Sequence, residues 1–248
     1  MCRHLAYVGA ARSLHELLVA PPFSIVRQSW APREQRFGTI NVDGFGVGWY
    51  ADGDPTPARY RRDIPIWSDQ SFADLARVTR STAVLAAVRS ATPGTAAGVE
   101  SAAPFANGKY LFSHNGRVDG WPDHITPLAD KVPTAALVNL VAHTDSALLW
   151  AVVQEALSSG LSADRAIALT VRQTADSTTG RLNLLLHDGE RIFATRYGDT
   201  LYYRKEPHGV VVASEPTGDD ADWVEVPDFS VLVADSSAVA IRPIEQET

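Results

Sequence analysis

Cys2 is the only cysteine among 248 residues, and it directly follows the initiator in Met1-Cys2-Arg3-His4. Aminopeptidases remove Met1 when the next residue is small, so the mature chain is expected to begin at Cys2. One residue then carries both a thiol and a free α-amine. With a pKa of about 7.7–8.0, such an amine is largely neutral in a slightly desolvated site. A thiol beside that base becomes a thiolate nucleophile without borrowing a histidine. Elsewhere in a chain a lone cysteine reads as a small buried hydrophobe. At a terminus, seldom well packed unless something ties it down, covalent catalysis is the better expectation.

Acyl chemistry also needs donors for an oxyanion. Asn115-Gly116 ends a strand-like run, Tyr110-Leu111-Phe112-Ser113-His114. A side-chain amide and a backbone N–H together can stabilise a tetrahedral intermediate; the plain alternative is an Asn-Gly turn. His114 reads as a structural or supporting residue on the substrate side rather than as the base. Arg89 closes the apolar run Val84–Val88 and is followed by Ser90-Ala91-Thr92-Pro93-Gly94. A strand-end arginine can hold a carboxylate through two parallel hydrogen bonds, although many such arginines are merely solvated. Asp145 sits where a loop enters a helix, and N-cap duty alone would explain it; its functional alternative is to bind an ammonium. An arginine and an aspartate at opposite ends of a pocket would grip the α-carboxylate and α-amine of an amino acid.

Other signals are exclusions. Gly44-Phe45-Gly46-Val47-Gly48 has neither dinucleotide-site spacing nor the Lys-Ser/Thr of a phosphate loop, and reads as backbone passing close to something. His4, His15, His124, His143, His187 and His208 show no metal-ligand spacing, so neither metal nor cofactor is expected. One cysteine excludes an internal disulfide and a multi-cysteine zinc site. A net charge of −7 without a Lys/Arg cluster argues against a nucleic-acid partner. Neither a secretory signal nor an apolar run of membrane-spanning length is present, so a cytoplasmic protein acting on a small molecule is expected.

The elements that must position these residues follow from periodicity. Leu5–Val8, Phe45–Tyr50, Ala83–Val88 and Tyr110–Ser113 read as strands, and Phe72–Val78 as a helix. Ser13 and Glu16 have the spacing of a capping box. Asp145–Ser158 and Ala163–Gln173 show helical spacing, with Gly160 as a stop between them. Arg181–His187 and Arg191–Tyr197 flank Asp188-Gly189, a hairpin signal. Strands continue at Leu201–Arg204, Val210–Ala213, Phe229–Val233 and Ala238–Ile241. This order predicts one α+β domain over residues 1–248, with two mainly antiparallel sheets packed together and helices outside.

Six segments together resemble the class II glutamine amidotransferases among the N-terminal-nucleophile (Ntn) hydrolases. They are Cys2-Arg3-His4, Asp43-Gly44-Phe45-Gly46, Arg89-Ser90-Ala91-Thr92, Ser113-His114-Asn115-Gly116, Thr144-Asp145-Ser146 and Ala213-Ser214-Glu215-Pro216, in the family's order. The resemblance implies a four-layer αββα sandwich. It implies Cys2 as nucleophile with its own α-amine as base, Asn115 and Gly116 as the oxyanion hole, and Arg89 and Asp145 as holders of a γ-glutamyl group. Two departures matter: Ser90 and Pro93 replace the Trp and His of many glutamine-using members, and Ala147 replaces their Glu. The pattern also fills the chain, so a stand-alone hydrolase is expected rather than a glutaminase fused to an ammonia-capturing synthase domain. Gln28-Ser29-Trp30-Ala31-Pro32-Arg33, Ala102-Ala103-Pro104-Phe105 and Val212–Pro216 carry a further likeness to stand-alone γ-glutamyl hydrolases of the group. The expected reaction is hydrolysis of a γ-glutamyl amide through a Cys2 thioester. Alternatives are a glutaminase subunit feeding a separate synthase, and a non-catalytic ligand-binding or redox module. Trp30, Phe45, Trp49 and Trp67 are candidates for a leaving-group pocket by nearness to the motifs, with ordinary packing as the preferred reading.

Overall fold

Strand β1 (Arg3–Ser13) has an apolar core on each face: Leu5 and Tyr7 join one cluster, Ala6 and Val8 another. A strand buried on both sides belongs in the middle of a sheet, and β1 pairs antiparallel with β4 (Arg80–Val88) and β10 (Gly209–Ala213). The computed structural model describes residues 2–92, 95 and 97–244. Beyond β4 the first sheet continues through β2 (Phe45–Trp49) to β3 (Ala58–Arg62), and beyond β10 through β9 (Tyr202–Glu206) to β11 (Val224–Glu225). The second sheet runs β13 (Val239–Pro243), β12 (Ser230–Ala234), β8 (Ile192–Arg196), β7 (Gly180–His187), β6 (Tyr110–Val118), β5 (Phe105–Asn107).

Three apolar clusters glue four layers. Helices α1 (Leu14–Leu18) and α3 (Gln70–Val78) pack Leu14, Leu17 and Phe72 against Leu5, Phe45 and Val84 of the first sheet. Ala6, Leu85, Leu111, Leu185 and Leu232 fill the space between the sheets. Leu148 and Trp150 of α6 (Asp145–Ser158) and Ile167 of α7 (Ala163–Ser177) cover Phe112, Leu184 and Leu186 of the second sheet. Each large apolar side chain so buried contributes about 1.5–3 kcal/mol. The result is the expected αββα sandwich. Short helices α2 (Ile25–Gln28), α4 (Thr126–Ala129) and α5 (Thr134–Val138) lie in connections.

Most expected elements are present. Ser13 and Glu16 form a reciprocal capping box, and α6 has the expected bounds. In the β7–β8 hairpin the Asp188 carboxylate accepts from the N–H groups of Glu190 (3.1 Å) and Arg191 (2.8 Å). Helix α7 outruns its expected end because Thr170 and Thr174 hydroxyls bond carbonyls one turn back and remain inside the helix. Strand β6 also continues past His114 to Val118, so Asn115-Gly116 is not a turn. Both residues stay in the ladder, Asn115 opposite Asn183 and Gly116 opposite Leu182. Strands β3, β5 and β11 carried no usable alternation: the first is rich in arginine and the others span three and two residues.

Candidate active site

Because Ala6 and Val8 face the inter-sheet core, alternation along β1 aims Cys2 and His4 into the same space. Cys2 Sγ lies 4.0 Å from the Ser90 carbonyl oxygen and lines a small pocket. That pocket is also lined by Arg89, His114, Gly116 and Asp145. Behind Cys2, His4 is fully buried with Nδ1 3.3 Å from Ser113 Oγ. Desolvation, with the nearby His114 and Arg3, pulls its pKa down to about 3, so this imidazole is neutral.

Arg89 is not a solvated strand end; its side chain is buried. One Nη donates to the Asp43 carbonyl oxygen and the other to Thr95 Oγ1, both at 3.2 Å. Asp43 completes the brace, its carboxylate accepting the Ala91 N–H at 2.8 Å. The motif's last residues, Pro93 and Gly94, lie outside the described residues. Asp145 is likewise buried, and it does not cap its helix. Thr144 is the cap, accepting from the Ala147 N–H at 3.1 Å. As the first residue of α6, Asp145 accepts N–H bonds from Val118 (3.0 Å) and Ser146 (2.7 Å). These two main-chain donors fix the direction in which the carboxylate points. His114 has both ring nitrogens engaged, Nδ1 with Ser146 Oγ and Nε2 with the Arg181 carbonyl, each at 2.9 Å. It ties the residue after Asp145 to strand β7.

Asn115, by contrast, is fully buried behind the residues that line the pocket; its Nδ2 donates to Ser214 Oγ at 3.3 Å, which uses one of its two hydrogens. Ser214 Oγ also accepts the His4 N–H at 3.0 Å. A single hydroxyl thus bridges the nucleophile's strand to the oxyanion candidate on the opposite sheet. Gly116 has a φ of 156°, and a Cβ there would approach the Arg181 carbonyl oxygen to 1.8 Å. Only glycine fits, which keeps β6 and β7 in register beside Cys2. Gly46 answers the reading of close backbone passage, since a Cβ would lie 2.3 Å from the Ala103 carbonyl oxygen.

The aromatic candidates stand apart from this pocket. Phe45 is core, Trp49 packs against the same cluster, and Trp30 and Trp67 pair edge-on at 5.4 Å on the surface. Sequence reasoning gave no individual role to Arg3, Ser113, Ser146, Arg181 or Ser214. The available signal was parity: Cys2 with His4 on one strand, and Ser113 with Asn115 on another, place polar side chains on one inner surface.

Among the described residues, no helix is long and apolar enough to cross a membrane. Residues 15–216 match the sequence profile of the class-II glutamine amidotransferases. The chain is 40% identical to the γ-glutamyl-hercynylcysteine sulfoxide hydrolase of Mycolicibacterium smegmatis, over 98% of this chain and 100% of that one. A solved glutamine aminotransferase class-II domain protein from Silicibacter pomeroyi superposes with a TM-score of 0.70 at 26% identity, covering 99% of this chain and 100% of that one. Glutamine phosphoribosylpyrophosphate amidotransferase from B. subtilis shares the fold, with a TM-score of 0.70 at 14% identity over 99% of this chain and 50% of that one. With these motifs, this sandwich and these relatives, the chain belongs to the class-II glutamine amidotransferases.

Proposed function

We propose that this chain hydrolyses the γ-glutamyl amide of γ-glutamyl-hercynylcysteine sulfoxide, a reaction of ergothioneine biosynthesis, to glutamate and hercynylcysteine sulfoxide. The observation that carries the reading is one pocket holding Cys2 together with the buried, oppositely charged Arg89 and Asp145. End-to-end likeness to the M. smegmatis hydrolase supports the substrate. A single cysteine that must remain a thiol suits the reducing cytoplasm.

Arg89 receives the α-carboxylate and Asp145 the α-ammonium, so the γ-carbonyl reaches Cys2. The sulfur attacks the carbonyl carbon while the α-amine, bared by loss of Met1, takes the thiol proton. Asn115 Nδ2 and the Gly116 N–H stabilise the oxyanion, a contribution of about 2.7–4 kcal/mol per donor in comparable sites. Collapse breaks the C–N bond, and the ammonium returns its proton to the leaving nitrogen. Water then attacks the thioester, releasing glutamate and restoring the thiol. His4, buried and neutral, supports the strand and takes no proton in this cycle.

Two measurements test the reading. A glutamine-like diazoketone should add one adduct to the wild-type protein and none to Cys2→Ala; equal labelling sinks the nucleophile. Turnover should be fastest with the γ-glutamyl sulfoxide, slower with its thioether, and slowest with glutamine. Comparable turnover of glutamine would instead make the chain an ammonia-supplying subunit.

A further inference from the structure

The glutamyl pocket occupies one flank of Cys2, over β4, β5 and β6. A leaving amine must depart on the other, where β10 and β7 lie. Leu182, Leu184 and Leu186 of β7 face the helices, so Arg181 and Asn183 face the inter-sheet space, as Asn115 does. Arg181 Nε donates to the buried Asp199 at 3.2 Å, and the Phe37 ring centroid lies 4.3 Å from its guanidinium. Phe37 is half-exposed and belongs to the connection between α2 and β2.

That connection forms a strap tied down beside the reacting groups. Its Arg33 and Glu34 N–H groups donate to the Glu215 carboxylate, next to Ser214. Its Gln35 side chain accepts from Arg3 Nε at 3.3 Å, next to Cys2. Arg3 is fully buried, and both its Nη atoms lack a partner among the described residues. Asp199 and Glu215 are the carboxylates facing it most strongly, but neither lies within ion-pair distance. Arg3 alternates with Cys2 and His4 along β1 and lies on the outer face beneath the strap, so on the inter-sheet face the departure side carries one guanidinium, that of Arg181, covered by an aromatic ring. Ammonia as a leaving group would have no use for it. An α-amino acid carries a carboxylate two bonds from the departing nitrogen, and that group suits such a surface.

We propose that Arg181, with Phe37 laid over it and Asp199 holding it, forms a leaving-amine subsite that selects amines bearing an α-carboxylate. The inference rests on the γ-glutamyl hydrolase reading and names the specificity of its second half.

The test compares kcat/KM for γ-glutamyl-L-alanine and γ-glutamylethylamide, which differ by that carboxylate. Wild-type protein should favour the alanine amide by about tenfold or more, the size of one charge-assisted hydrogen bond. Arg181→Gln should bring the ratio close to one, and Arg181→Lys should restore part of it. Phe37→Ala, on the surface strap, should lower the ratio several-fold without endangering the fold. Because each ratio is taken within one protein, a general loss of activity cancels. An unchanged ratio in Arg181→Gln and Phe37→Ala, or no preference in wild type, overturns the subsite while leaving γ-glutamyl hydrolysis standing. If wild-type protein hydrolyses the γ-glutamyl sulfoxide but neither amide, an α-carboxylate is not what the site selects and the subsite falls alone; if it hydrolyses none of the three, the hydrolase reading falls and the subsite falls with it.

Discussion

Arg89 and Asp145, on one side of Cys2, are held largely by the main chain: a carbonyl and the Thr95 hydroxyl on the arginine, two N–H groups on the aspartate. Arg181 and Phe37, on the other, are held by side chains and by a strap whose tip is exposed. Main-chain partners are fixed once the sheets form, so the first side presents a rigid pair of opposite charges. Side-chain partners can change by substitution without disturbing a ladder. This division suits a constant glutamyl group on one side and a leaving amine of variable chemistry on the other.

The largest expected effect ignores the division, because acid removes the frame beneath both sides. His4 and His187 are fully buried, and desolvation lowers their pKa values to about 3 and about 4, from 6.5. Above pH 6.5 both are neutral, folded or unfolded, and add no pH dependence. Below it the unfolded chain gains protons that the fold refuses, so stability falls by up to about 1.4 kcal/mol per pH unit for each histidine, until the folded values are reached. Asp199, raised by burial, works in the opposite sense and trims the slope. Denaturant midpoints should therefore drop steadily between pH 6.5 and 4; a flat profile would show that these rings are hydrated.

Next come the rigid charges. Arg89→Met or Asp145→Asn leaves one charged end of the bound glutamyl group without its buried partner, a loss of about 3–5 kcal/mol. The expected fall in kcat/KM is at least a hundredfold for every γ-glutamyl substrate, whatever amine leaves. If either variant shifted the ratio between leaving amines, the two sides would not be separable. The smallest effect belongs to Ser214, at their junction. Ser214→Ala deletes the acceptor for the His4 N–H and Asn115 Nδ2, at about 1 kcal/mol per bond. Steady-state kinetics should show kcat lowered about tenfold with KM unchanged; a rise in KM alone would move Ser214 to the binding side.

Local pattern carried much of this molecule. The capping box at Ser13, helix α6 and the Asp188-Gly189 hairpin are short-range features, and each stands where periodicity put it. Two local readings failed because tertiary partners outweighed them. Asn115-Gly116 has the composition of a turn, but pairing with β7 holds it straight. Asp145 has the position of a cap, but Thr144 takes that duty and frees the carboxylate for the pocket. Arg181 and Ser214 were not individually legible, since their roles depend on partners far away in sequence. Ser214 meets Asn115 across 99 positions and His4 across 210. The strap's tethers to Glu215 and Arg3 are of the same kind.

The Ser214 bridge has a mechanical consequence. The thiol sits on one sheet and the proposed oxyanion donors on the other, so the gap between them equals the local thickness of the sandwich. That thickness is set by apolar side chains deep between the sheets, among them Ala6, Leu85, Leu185 and Leu232. Interiors packed this densely transmit strain and resist compression. A methyl group lost far from any reacting atom therefore shears one sheet against the other and detunes the reaction, making turnover a gauge of how well the interior is filled.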